Sequence, residues 1–228
     1  MATLNIAIDG PAGAGKSTIA KAVAAKLGFI YIDTGAMYRA VGLAAVRRGI
    51  DSTDQEAVAS ILDEVEITLK HTEDGQQIFL NGENVSAEIR LPEISVAASN
   101  VAVIPAVRLK LVELQRQLAQ KDHVIMDGRD IGTYVLPDAQ LKIFLTANPQ
   151  ARAQRRFLEL QEKGVKTTFE EVFADMSYRD KNDSGRAFAP LKAAEDSVMV
   201  DSTAMSLEKT IQTITEMAQN ALQSEDMK

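Results

Sequence analysis

Gly10-Pro11-Ala12-Gly13-Ala14-Gly15-Lys16-Ser17-Thr18 is the stretch from which the rest of the chain is read. It fits Gly-x-x-x-x-Gly-Lys-Ser/Thr and follows the short apolar run Leu4 to Ile8, so it predicts a loop joining a strand to a helix. Glycines let the backbone turn successive N–H groups inward on a polyphosphate, and the following helix adds the positive end of its dipole. All nine residues are candidates for holding a nucleoside triphosphate. Lys16 is expected to reach the β and γ phosphates, and the Ser17 hydroxyl to meet Mg²⁺, a hard cation held mostly through nucleotide and water oxygens. The plain alternative is a flexible glycine turn with no ligand.

Working outward, Ser17 to Leu27 reads as a helix with Ile19, Val23 and Leu27 on one face, stopped by Gly28. Leu4 to Ile8, Phe29 to Ile32, Val124 to Asp127, Leu141 to Leu145 and Ser197 to Val200 read as buried parallel strands. Helical patterns lie between them: Ala36 to Arg48 before Gly49, Pro105 to Gln120 with Val107, Leu111, Leu114 and Leu118 in phase, and Gln150 to Lys163 before Gly164. This alternation predicts an α/β fold, a three-layer core around a mainly parallel sheet, with ligands at the carboxyl ends of the strands.

One stretch breaks the rhythm. Val65, Ile67 and Leu69 alternate with polar residues, Asp74-Gly75 is a hairpin signal, Ile78 and Leu80 follow, and Asn81-Gly82 makes a second turn. Residues 51–92 are therefore read as an insert with a small antiparallel sheet, entered by a helix whose Thr53 and Glu56 have capping-box spacing. Residues 1–50 and 93–228 form the core, with a lid at about 150–190. The insert either grips a second substrate or is a structural appendage.

Composition narrows the classes of function. The 228 residues are 46% apolar and 25% charged, an ordinary globular balance. Without cysteine there is no disulfide framework or thiolate metal site, which suits a reducing, cytoplasmic setting. No apolar run approaches the ~20 residues of a membrane span, and Met1 to Ile8 lacks the features of a signal peptide. A net charge of −7 argues against broad nucleic-acid binding. Against that acidic background, Arg152, Arg155 and Arg156 share a predicted helix, and Arg179, Lys181, Arg186 and Lys192 flank Asn182-Asp183-Ser184-Gly185, which reads as a loop and a lid hinge. Any one arginine could equally belong to a solvated helix face.

Phosphoryl transfer needs positioning and positive charge more than covalent chemistry. Asp127, at a strand end, is a candidate partner of the magnesium site or a simple cap. A GTPase reading fails for want of Asn-Lys-x-Asp, because Lys181-Asn182-Asp183 is not that motif. No histidine accompanies any motif, His71 lying in the insert and His123 at a strand start. A phosphate-bearing acceptor, already ionised near pH 7, needs no general base, whereas an alcohol acceptor would want one, for which Asp33 is available.

Ile32-Asp33-Thr34-Gly35-Ala36-Met37-Tyr38-Arg39, Ser99 to Arg108, Asp127-Gly128-Arg129-Asp130-Ile131-Gly132-Thr133, and Arg179-Asp180 through Arg186 with Ala189-Pro190-Leu191 resemble the bacterial cytidylate kinases over nearly the whole chain. The resemblance implies a core, a nucleoside-monophosphate-binding insert and a mobile helical lid, with the γ-phosphoryl of ATP passing to CMP or dCMP. It implies that Ser99, Arg108 and Asp130 read cytosine, that Arg39, Arg129 and Arg186 clamp the monophosphate, and that Asp183 holds the pentose hydroxyl. Thr34 and Tyr38 fall on its acceptor-binding segment, Thr34 where serine also occurs. Arg155 and Arg179 resemble lid arginines near the transferring phosphoryl, completing a catalytic set with Lys16 and Arg129. A monomer acting on small nucleotides is expected. The alternatives are a kinase for UMP or another small phosphate acceptor, and an ATP-gated binding module.

Overall fold

In the computed structural model, residues 3–72 and 75–226 are described. The order is β1 (Asn5–Asp9), α1 (Lys16–Leu27), β2 (Ile30–Asp33), α2 (Thr34–Arg47), α3 (Gln55–Ser60), β3 (Ile67–Thr72), β4 (Gly75–Leu80), β5 (Glu83–Asn84), α4 (Pro92–Val101), α5 (Pro105–Leu118), β6 (Val124–Gly128), β7 (Leu141–Thr146), α6 (Pro149–Glu162), α7 (Phe169–Gly185), β8 (Val198–Asp201) and α8 (Leu207–Asp226). Five strands form one sheet in the order β2-β6-β1-β7-β8, and every pairing is parallel. The central strands are mostly apolar because both faces are covered: Ile6 and Ile8 of β1 pack with Ile19 and Val23 of α1 and Ile214 of α8, while Ala7 packs with Ile32, Met126 and Val112 of α5 on the other side. From β1 the chain moves to β2 on one flank and later to β7 on the other, so a crevice opens at the carboxyl end of β1. The register sets Asp33 beside Asp127 and Asp9 beside Gly128 at that edge.

The second sheet is small and antiparallel, β3-β4-β5. Asn81 (φ 50) and Gly82 (φ 82) close the β4–β5 turn in the left-handed conformations that an Asn-Gly hairpin supplies. Asp74 of the other expected turn lies outside the described residues. Ile67, Ile78 and Leu80 of this sheet share one apolar cluster with Met37 and Val41 of α2 and Ile94 of α4. The insert is thereby joined to the helix whose first turn faces the crevice.

Local expectations fail at two places. The cap of α3 is Asp54, whose carboxylate accepts from Ala57 N at 3.1 Å; Thr53 donates instead to Asp51. Aspartate one residue nearer the helix outcompetes the threonine for the same job. Asn182-Asp183-Ser184-Gly185 is the last turn of α7, not a loop. A capping box starts α7, with Thr168 and Glu171 bonded reciprocally, and Val172 and Met176 seat it on Leu160 and Ala153 of α6, so packing carries the helix past residues that by themselves favour a turn. Among the described residues, no single helix is long and apolar enough to cross a membrane.

Candidate active site

The loop after β1 leaves the sheet at Gly10, where a Cβ would stand 2.0 Å from the Leu145 carbonyl oxygen of β7, so only glycine fits. Gly15 precedes α1 with no side-chain cap, and the first N–H groups of that helix open onto a cavity of about 730 Å³. Lys16 is buried and donates to the Pro11 carbonyl at 2.7 Å. Burial, then the Arg129 guanidinium, hold its pKa well below the ordinary lysine value. The loop is also gripped from behind. Asp180 of α7 accepts from Ala12 N at 2.9 Å, and Arg152 of α6 donates at 2.7 Å to both the Ala12 carbonyl and the Asp180 carboxylate.

Ser17 Oγ donates to Asp127 Oδ2 at 2.8 Å, and Tyr31 Oη donates to the other oxygen at the same distance. Burial, then neighbouring Asp33, push the Asp127 carboxyl up. A hydroxyl and a carboxylate side by side beneath the loop are a donor set that fits Mg²⁺, and they are too few to hold it without nucleotide and water oxygens. Asp33, the candidate base, is otherwise engaged: it caps α2 by accepting from Ala36 N at 2.9 Å and binds Arg90 Nη2 at 2.9 Å. Burial pushes its carboxyl up, but Arg39 and Arg90 outweigh that and hold it below the ordinary value. Such a group is a poor proton acceptor at neutral pH.

Between the loop and the far end of the cavity stands a ring of cations. Arg39 from α2, Arg129 from the turn after β6 and Arg179 from α7 all border it. Arg129 Nε donates to Asp183 at 2.7 Å. Burial, then Arg129 and Arg39, push Arg179 down to about 9, the sign of a cation crowded by like charge that an entering anion relieves. Its Nε has no protein partner. Arg155 borders the cavity as well. It donates to the Ser202 carbonyl at 2.7 Å and hydroxyl at 3.1 Å, at the end of β8, while its neighbour Arg156 is the α6 arginine that Arg179 feels.

At the far end Asp130 is buried between two arginines, bonded to Arg108 and, at 3.2 Å, to Arg186. Burial pushes its carboxyl up in spite of both. Arg108 is fully buried, its guanidinium 5.7 Å from the ring centres of Tyr38 and of Phe188. Arg186 is aimed by the chain folding back after α7, donating to the Ala189 carbonyl at 2.6 Å while Leu191 N donates to Asp183 O. The β6 turn that presents Arg129 and Asp130 is itself anchored by Asp9, which accepts from Ile131 N at 2.8 Å and Gly132 N at 2.7 Å. Thr34 Oγ1 donates to the Asp127 carbonyl at 2.7 Å, so only its lone pairs face outward. Ser99 Oγ is buried without a partner, and Tyr38 Oη meets only the Gln115 amide, loosely.

Thr34, Tyr38, Arg39, Ser99, Arg129, Asp130, Asp183 and Arg186 thus border the same cavity as residues 13–18 of the loop, and Arg108 stands just behind it. Gly10, Pro11 and Ala12 shape the loop without bordering the cavity. Sequence reasoning missed Arg90, which reaches the cavity from the insert, and Gln115 of α5. Neither belongs to a motif, although Gln115 lies one heptad beyond Arg108 and so on its face of the helix.

Comparison with known proteins adds the family. The cytidylate kinase family model matches residues 6–220. The chain is 50% identical to the cytidylate kinase of Caldicellulosiruptor bescii over 225 residues, covering 99% of this chain and 100% of that one. It is 53% identical to the cytidylate kinase of Desulfitobacterium hafniense, covering 92% and 90%. A crystal structure of a gluconokinase from Sinorhizobium meliloti 1021 shares the fold at TM-score 0.50 and 14% identity, covering 98% and 97%. With these matches spanning the loop, the small antiparallel sheet, α6 and α7 and the buried Arg108–Asp130–Arg186 cluster alike, the chain belongs to the cytidylate kinase family.

Proposed function

We propose that the protein transfers the γ-phosphoryl group of ATP to CMP or dCMP, giving ADP and CDP or dCDP, as a monomer in the cytoplasm. The observation that carries this reading is a single cavity with a phosphate loop at one end, the Arg108–Asp130–Arg186 cluster at the other and Arg39, Arg129 and Arg179 between. The loop N–H groups and Lys16 bind the donor's β and γ phosphates, Lys16 leaving the Pro11 carbonyl for them. Ser17 and Asp127 would hold Mg²⁺, which neutralises charge on the phosphates. Arg39, Arg129 and Arg186 receive the acceptor's phosphate, with Arg90 beside them, and Asp183, already at Arg129, accepts from its pentose hydroxyl. Lys16, Arg129 and Arg179 meet the charge that grows on the transferring phosphoryl. Arg155 is read at the donor side beside Ser202.

Specificity follows from the base end. Asp130 accepts from the exocyclic amine of cytosine, Arg108 and Ser99 donate on its carbonyl side, and no protein base is required because the acceptor oxygen is already anionic. The test is ADP release from Mg-ATP with CMP, dCMP, UMP, AMP, GMP and shikimate offered separately. Turnover confined largely to CMP and dCMP is expected. Preference for another acceptor would overturn the base assignment, and ATP binding without turnover of any would leave a binding module.

A further inference from the structure

Gln115 lies on α5 with no exposed surface, one heptad from Arg108 on the same buried face. Gln115 lines the site cavity and meets the Tyr38 hydroxyl, yet neither Oε1 nor Nε2 makes a well-formed hydrogen bond to the protein. A carboxamide left so is destabilising, and a leucine of similar size would fill the space without that penalty. Its surroundings share the condition. Ser99 Oγ and the Nε and Nη1 of Arg108 are buried and unpartnered, and the Tyr38 hydroxyl has only the loose contact with the Gln115 amide. Arg116, the next residue on α5, shows the contrast: it donates to the Val135 and Tyr134 carbonyls and packs over the Tyr134 ring. Open hydrogen-bonding capacity is therefore concentrated at the acceptor end of the cavity.

We propose that Gln115 is a further base-reading residue, whose carboxamide pairs with the hydrogen-bonding edge of the acceptor pyrimidine and, by turning over, accommodates either cytosine or uracil. This rests on the reading of the site as a nucleoside monophosphate kinase. Asp130 only accepts and Arg108 only donates, so each has a fixed preference. A carboxamide offers one acceptor and one donor side by side. In one orientation Oε1 accepts from a cytosine amino group while Nε2 donates to the ring nitrogen; rotated by half a turn, Nε2 donates to the uracil carbonyl and Oε1 accepts from the ring N–H. Gln115 thereby sets how far a site selective for cytosine tolerates UMP, and its loss harms UMP more, because CMP keeps Asp130.

The experiment compares the full-length wild type with Gln115→Leu and, as a near-isosteric control against misfolding, Gln115→Glu. KM and kcat are measured for CMP, UMP and ATP, together with the thermal midpoint. For Gln115→Leu, KM for CMP is expected to rise roughly tenfold, with a larger rise for UMP, while KM for ATP stays within about twofold. Gln115→Glu, limited to accepting when ionised, is expected to raise the CMP:UMP ratio of kcat/KM by at least about fivefold. If the folded variants keep both the CMP KM and the CMP:UMP ratio of the wild type, or if KM for ATP rises by the same factor as KM for CMP, Gln115 is structural and the proposal falls. Failure of the wild type itself to phosphorylate CMP or UMP would remove the underlying reading and the proposal with it, an outcome distinct from a wild type that works and variants that do not differ from it.

Discussion

At the phosphate end of the cavity six consecutive residues, Gly13 to Thr18, present backbone N–H groups and one lysine, whereas at the acceptor end side chains from α2, α4, α5, α7 and the turn after β6 are brought together from far apart in the chain. The first arrangement binds whatever carries phosphate, because amides and a helix dipole read charge and spacing but not identity. The second can discriminate because its polar groups are buried, and a wrong partner leaves them unmatched. Charge is also handled differently. Lys16 is crowded by Arg129, so an entering anion improves the loop end, while Asp130 is already paired with two arginines at the other end.

The sharpest way to break this comparison is to remove a cation. Lys16→Ala and Arg129→Ala are each expected to cost at least ~2 kcal/mol of transition-state stabilisation, about thirtyfold in kcat/KM, by an equal factor for CMP and UMP. A loss confined to one base would show that the two ends are not separable. Next, Asp130→Asn is expected to lower the CMP:UMP ratio of kcat/KM about tenfold with little change in KM for ATP. An unchanged ratio would take Asp130 out of base reading.

A smaller effect tests the tie behind the loop. Arg152→Met removes the donors that hold the Ala12 carbonyl and Asp180, and should raise KM for ATP about fivefold while leaving KM for CMP in place. A rise in the CMP value alone would mean that α6 and α7 act on the acceptor end instead. The smallest effect belongs to Asp33, which sits between the ends. Its folded pKa is depressed, so its ion-pair contribution is complete above the ordinary value of 3.8 and is lost as pH falls through the lower folded value. Asp33→Asn keeps the helix cap, and because Arg90 is half exposed the pair contributes under about 1 kcal/mol. Thermal midpoints of wild type and variant should therefore differ slightly at neutral pH and converge in acid; a gap that widens in acid would reverse the assigned sign.

The loop, the parallel strands and the antiparallel insert were legible in the sequence because each rests on local regularities: a contiguous motif, buried apolar runs and period-two alternation ending in Asn-Gly. The cluster at the base end was legible only through resemblance. Ser99 and Arg108 look like ordinary helix residues by spacing, and nothing local tells that Arg108 is buried between Tyr38 and Phe188. Where local chemistry and packing disagreed, packing prevailed: Asn182 to Gly185 remain helical because α7 is seated on α6, and Asp183 faces Arg129 as a result.

By itself, then, the amino-acid sequence determined that this chain forms a parallel α/β core around a phosphate loop, since hydrophobic period and glycine placement act over a few residues at a time. Only the tertiary structure decided which cations face one another, that Arg155 turns to Ser202, that Asp33 is occupied by Arg90, and that Gln115 is buried beside the cavity. Those facts depend on burial and on encounters between side chains distant in the chain, which no local pattern encodes.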